Sequence, residues 1–286
     1  MRMKRLKPYA YLAPALLTAL VFVYLPFLRN IVESLFLVRI DRSLSSFVGL
    51  DNYRRVLADP IFWQSLGNTL LFMVLFVPLN LALILAAVLL TEREGRANKV
   101  YEVIFMLPMA MGMSSMALIF KYMFRPSVGI VNRIIGVDIP WTNDALAAMF
   151  SVVFLGIALD FGLDYLLLLS ALRNIDKAPI EAARLDGASE WQLFWRIKAP
   201  LLGPTLFFVL FISMKDALLI CAPIMVMTEG GPFRSTQTIV YQYYIEAFRN
   251  SNWSAAAAIS TLVFVMAAVI TILSMRFEAR RLHYEN

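Results

Sequence analysis

Six apolar runs constrain this chain more than any other feature, because each is close to or above the roughly 20 residues that a helix needs to cross a hydrocarbon core. They lie at about residues 9–28, 67–91, 103–124, 145–172, 201–226 and 255–277. Lipid offers no partner to backbone N–H and C=O groups, so such runs take the form of helices that satisfy themselves. The expectation is an all-α membrane protein with six transmembrane helices in a single domain over residues 1–286. A hydrophobic fraction of 60% and a mean hydropathy of +0.70 agree with it. The first run follows Arg2, Lys4, Arg5 and Lys7 and is longer than a signal-peptide core, so it is expected to remain as an uncleaved helix.

Six spans put both termini on one side. Counted on that basis, 15 Lys and Arg fall on the side of the termini and ten on the other, with Lys215 inside a span. The excess predicts cytoplasmic termini in a multi-pass membrane protein. It also accounts for the net charge of +6 through loops at a lipid surface, without nucleic acid as a partner. With Cys221 the only cysteine, an intramolecular disulfide and a cysteine metal cluster are excluded. The sole histidine, His283, sits in the charged tail, so neither a metal site nor a catalytic triad is expected. No GxxxxGK[ST] phosphate loop is present, so this chain does not hydrolyse ATP through such a loop.

Between the fourth and fifth spans, the loop at 173–199 contains EAARLDGASEWQLFWRIKAP, Glu181 to Pro200. Pro179 fits the first turn of a helix carrying Ile180 to Leu185, since the missing N–H is not needed there. Gly187 ends that helix, and Ser189 with Gln192 reads as a capping box that opens a second helix stopping near Pro200. Charge counting places this helix–turn–helix in the cytoplasm. Its small residues Ala182 and Ala183 let a partner's surface approach the backbone, and Glu181 and Arg184 offer charge at the rim.

The series Glu181-Ala182-Ala183, three residues, Gly187, nine residues, Ile197 and then Ala199-Pro200 resembles the EAA motif of permease subunits of binding-protein-dependent ABC importers. Ala199 stands where that family commonly has Leu. GLDNY at 49–53, Asn68-Thr69, Met106 to Pro108, the Gly129, Asn132 and Trp141 pattern, and TEGGPFRSTQTIVYQYYIEAF at 228–248 are similar to the carbohydrate-type branch, the maltose and glycerol-phosphate permeases. The resemblance implies the importer permease fold, with residues Glu181, Ala182, Ala183, Asp186 and Gly187 docking an ATPase subunit as a coupling helix. It also implies a second homologous permease, two ATPase subunits that hold ATP and Mg, and an extracytoplasmic solute-binding protein. Departures include Phe120, Lys121 and Tyr122 where relatives carry Trp, and Asp160 where an aromatic is common.

Charges inside spans cost a few kcal/mol each unless paired or facing a water-filled path. Asp160 and Asp164 lie one helical turn apart, and Lys215 and Asp216 sit at a comparable distance on the other side of the loop. Two readings stay open: an ion pair of Lys215 with Asp160 or Asp164, or contact with a hydroxylated or anionic solute in a pathway that includes Tyr165 and Ser213. Aromatics at Tyr122, Phe124, Phe207, Phe208 and Phe211 are candidates to stack on sugar rings or to pack helices. Gly230, Gly231 and Pro232 are expected in an outer turn that gates the path or meets the binding protein. The competing class is an ion-coupled secondary transporter with Asp160, Asp164 and Lys215 as a proton relay.

Overall fold

A computed structural model describes the backbone of residues 2–92 and 95–282 and the side chains of 11–92 and 95–276. His283 and Arg93 lie outside the described residues. Contacts divide the chain into two units, Met1–Trp63 with Gln242–Met266, and Gln64–Tyr241 with Ala267–Asn286.

In the first unit, α1 (Arg2–Ala19), a π-helical turn (Leu20–Tyr24) and α2 (Leu25–Ser34) form one rod, of which Tyr11–Ser34 is long and apolar enough to cross a membrane. A two-stranded antiparallel hairpin follows, β1 (Phe36–Val38) and β2 (Leu44–Phe47), and then α3 (Asp51–Ala58). The hairpin was not expected. Asp59 accepts the N–H of Ile61 at 2.9 Å and Pro60 takes the first helical position, so α4 (Pro60–Thr91) begins seven residues ahead of the expected span.

In the second unit, the 103–124 run is two helices, α5 (Arg96–Met106) with a 3₁₀ turn (Leu107–Ala110), and α6 (Met113–Met123), bent by 105°. Pro108 lacks the N–H that a continuous helix needs, and Met111 is extended at φ −95°, ψ 139°. Then come α7 (Ile130–Ile135), α8 (Ala145–Arg173), α9 (Lys177–Leu185) and α10 (Glu190–Leu193). Asp144 caps α8 by accepting from Leu146 and Ala147. A π turn (Phe194–Lys198) leads through α11 (Ala199–Leu201) into α12 (Gly203–Leu219), with a 70° bend between. After α12 come α13 (Ala222–Met227), α14 (Ile239–Tyr244), a π turn (Ile245–Arg249) and α15 (Trp253–Leu282). The expected fifth span, 201–226, is thus interrupted at Ile220–Cys221. Among the described residues, four helices alone are long and apolar enough to be membrane spans, and up to six when each bent pair is one span. The core joins α4, α8 and α12 through Ile84, Val88, Tyr165, Leu168, Leu172, Leu202 and Val209, all buried.

Candidate functional site

The helix–turn–helix at 177–201 is preformed by local chemistry. Asp176 caps α9 by accepting from Ala178 at 3.1 Å. At the other end the N–H of Ala188 reaches the carbonyl of Ala183 at 3.0 Å and that of Gly187 reaches Arg184 at 3.1 Å, the pair of bonds that closes a left-handed C-terminus. Gly187 sits at φ +83° with nothing within 4 Å of where a Cβ would stand, so backbone angle, not crowding, calls for glycine. The capping box is complete: Gln192 N–H donates to Ser189 Oγ at 3.3 Å and Ser189 N–H donates to Gln192 Oε1 at 2.9 Å. Arg184 and Glu190 pair at 2.8 Å across the turn. Glu181, Ala182, Asp186 and Gly187 are exposed and Ala183 is partly covered. Leu185, 90% exposed, makes this a surface with an apolar tip. Pro200 withholds a donor from the turn before it, and the π turn absorbs the fault, with the N–H of Ala199 bonded to Phe194 O.

The charges of the spans do not pair as expected. Lys215 bonds its neighbour Asp216 at 2.7 Å, not Asp160 or Asp164, and both partners are partly exposed, at 48% and 36%. Adjacency in sequence lets the long lysine side chain fold back on the next residue, a solution that neighbouring-span reasoning overlooks. Asp164, 1% exposed, is held by neutral groups: Asn80 Nδ2 donates to its Oδ2 at 3.0 Å and Ser213 Oγ at 3.4 Å. Asn80 also reaches Ser213 at 3.3 Å. Hence α4, α8 and α12 meet at one polar knot. One turn away, Asp160 lines a cavity of about 330 Å³ together with Asp216, Phe72, Phe76, Met113 and Leu159. Tyr165 is fully buried in helix packing, with its hydroxyl 2.6 Å from Thr91 Oγ1. The structure therefore brings Asp160 and Asp216 to a cavity, Asp164 and Ser213 to a knot beside it, and Tyr165 to neither.

Away from these charges, the remaining sequence patterns become internal ties. Asn132 accepts from Trp141 Nε1 at 2.6 Å and donates to Asp138 Oδ1 at 2.9 Å and Ile139 O at 3.0 Å. A Cβ on Gly129 would stand 2.4 Å from Met123 O, so only glycine fits. Asn68 Nδ2 donates to Arg234 O and Gln237 O, at 2.7 and 3.0 Å, and Thr69 accepts Ile239 N–H at 2.9 Å. These bonds fasten the Gly230–Gln237 loop to α4, with Phe233 left 91% exposed at its tip. In the first unit, Asn52 donates to Ser34 O and Phe36 O, both at 2.9 Å, and Tyr53 meets Ser34 Oγ at 2.6 Å. Tyr122 lines a second cavity of about 680 Å³ with Lys121, Arg125 and Glu229, while Phe124 packs edge-on to Trp141.

Residues 79–283 match the sequence model of the family described as binding-protein-dependent transport system inner membrane component. The chain belongs to this family. Among individual relatives, the permease is 32% identical to the sn-glycerol-3-phosphate transport system permease protein UgpA of Agrobacterium fabrum, over 98% of this chain and 97% of that one. It is 31% identical to a probable ABC transporter permease protein of Bacillus subtilis, YurN, over 94% and 95% of the two chains. Its fold matches a chain of a bacterial ABC transporter involved in import of the acidic polysaccharide alginate, with a TM-score of 0.84, 22% identity, and 98% and 99% of the chains covered. The fold class expected from sequence is thereby met. The secondary-transport alternative draws no support from these likenesses.

Reading the sequence of this permease misses four residues that the structure places beside the loop. Lys198, 2% exposed, extends its ammonium to both oxygens of Glu92 at 2.7 and 2.8 Å. Arg173 bonds Glu102 at 2.6 Å and Thr91 O at 3.0 Å. Their partners lie about 70 to 106 positions away in sequence, and no local pattern announces such pairs.

Proposed function

We propose that this permease is the membrane-spanning subunit through which an ATP-binding-cassette importer takes up a carbohydrate, an oligosaccharide or a related polyol compound. The single observation carrying the reading is the preformed, exposed helix–turn–helix at 177–201 with the EAA spacing. Glu181, Ala182, Ala183, Asp186 and Gly187 dock a separate ATPase subunit, and Leu185 adds an apolar contact. The substrate class rests on likeness to a permease whose name specifies sn-glycerol 3-phosphate and, for fold, to an alginate importer.

In this reading both termini and the loop face the cytoplasm of a bacterial inner membrane. The functional unit holds a second homologous permease, two ATPase subunits and an extracytoplasmic solute-binding protein. ATP and Mg bind the ATPase subunits and supply the energy. The permease's own part is mechanical: α9 to α11 move with the docked ATPase, and α8 and α12, which flank them, tilt. Tilting re-forms the knot of Asn80, Asp164 and Ser213 and alters access to the cavity of Asp160 and Asp216. Ser213 belongs to this pathway through the knot and Lys215 through its bond to Asp216, while Tyr165 supports it only from the helix packing outside. On the outer side, the Gly230–Gln237 loop meets the solute-binding protein.

Copurification tests the reading. Glu181→Lys places a cation on the docking face and Gly187→Asp forces a non-glycine residue into φ +83°. Both are expected to lose the ATPase while the permease stays in the membrane, and unchanged copurification refutes the docking role.

A further inference from the structure

We infer that Lys198 and Glu92 form a strut that makes the docking loop and α4 move as one body; the inference rests on the docking role proposed above. Its basis is a run of charges ending inside the protein. Arg184 on α9 pairs with Glu190 at 2.8 Å, Glu190 lies 3.7 Å from Lys198, and Lys198 is gripped by both oxygens of Glu92. Glu92 directly follows Thr91, the last residue of α4. The other end of the loop holds the same place: Arg173, where α8 ends, bonds the Thr91 carbonyl and Glu102. Both entry and exit of the docking loop thus clasp the end of a helix that is not adjacent to it in sequence.

What α4 carries makes the clasp consequential. Asn80, twelve residues back, sits about 18 Å up the helix at 1.5 Å per residue and bonds Asp164 and Ser213. Phe76 and Phe72 lie one and two turns further and line the cavity with Asp160 and Asp216. From Thr91 back to Asn80, α4 contains no proline, and a helix with its backbone bonds satisfied transmits an axial displacement without much compression; Pro78, which lacks an N–H, stands beyond Asn80, ahead of Phe76. Displacing the loop therefore shifts Asn80 against Asp164 and Ser213 at the knot, and the stretch of α4 that carries the two phenylalanines follows. Lys198 suits the task because it is 2% exposed and doubly bonded, so the pair holds one geometry where a solvated pair would slide among several. Lys198 and Glu92 are positioning residues, acting on the pathway through α4.

The test uses the assembled transporter, with its ATPase and second permease, in nanodiscs and on a Cys221→Ser background. Spin labels at exposed Trp191 on α10 and Leu83 on α4 report the loop-to-helix distance, with ATP and vanadate as the probe that traps the ATPase. With Lys198 and Glu92 intact, the distance is expected to stay the same before and after trapping. In Lys198→Met, trapping is expected to shift or broaden it, and Glu92→Gln, which keeps size and an acceptor, shows the same direction more weakly. Lys198→Arg restores the single distance. A shift in the intact pair overturns the strut, and so does an unshifted distance in Lys198→Met, or a loss confined to the amount of assembled transporter. Failure of the docking reading is separately visible: the ATPase then stays bound in Gly187→Asp, and the strut falls with it.

Discussion

Gly162, on α8 midway between Asp160 and Asp164, offers a test in which local propensity and tertiary contact predict opposite signs. A Cβ built there would stand 2.8 Å from Met109 Cβ, 3.3 Å from Met106 O and 3.4 Å from Met109 N. These atoms belong to the 3₁₀ turn and the end of α5, where the third span bends. Two of them are backbone and the third is fixed to it, so rotation of a side chain cannot clear the space. Ordinary carbon–carbon contact is about 3.5–4.0 Å, so the bent segment must retreat by roughly 0.7 Å or more. Overpacking of this kind costs about 1–3 kcal/mol. Gly67 supplies the control, since it lies inside α4 with nothing within 4 Å of its Cβ position. Helix propensity favours alanine over glycine by about 0.5–1 kcal/mol at both positions. Gly67→Ala should therefore be neutral or stabilising, while Gly162→Ala should lose up to about 2 kcal/mol net. Thermal unfolding of the two purified variants in the same detergent measures the difference. Equal midpoints refute the claim that close approach of the bent third span requires glycine at Gly162.

Two further outcomes follow from the geometry. A double-mutant cycle of Lys215→Ala and Asp160→Asn, read as thermal stability, should give a coupling below about 1 kcal/mol, because Lys215 bonds Asp216; a larger coupling restores the cross-span pair. Asn132→Leu strands the indole N–H of Trp141, 8% exposed, at a cost of about 1–3 kcal/mol; faster tryptic cleavage after Arg133 is expected, and unchanged protection counts against the tie.

Local signals were legible where a local cause exists. Capping by Ser189 and Gln192 and the end of the first loop helix at Gly187 follow from neighbours within about five residues, and they came out as read. Straight spans were legible as well, since α4, α8 and α15 are continuous apolar runs. Bends were harder, because composition does not distinguish a straight apolar run from a broken one. Pro108 with Gly112, and Gly203 with Pro204, were the available signs at the two bent spans. The pairing of charges within the spans was not legible. Lys215 invited pairing with Asp160 on grounds of charge alone, yet its neighbour was nearer; Asp164 found Asn80 and Ser213, whose neutral side chains gave no hint that they would meet.

The residues through which this chain resembles carbohydrate permeases turn out to act on its own backbone. Asn52, Asn68, Thr69, Asn132 and Trp141 each spend their hydrogen bonds on carbonyls, amides or side chains of the same unit. A residue committed in this way has little capacity left to read a solute, so likeness at these positions carries information about shape and not about specificity. The cavity side chains behave differently. Asp160 shares a wall with Asp216 and two phenylalanines. In the pathway proposed above, carboxyl groups there offer acceptors to hydroxyl donors, and the phenylalanines offer faces on which a ring can stack. On that proposal, two proteins sharing every structural tie can differ in solute, and the place to look for the difference is Asp160 and its neighbours, not the patterns that make the family recognisable.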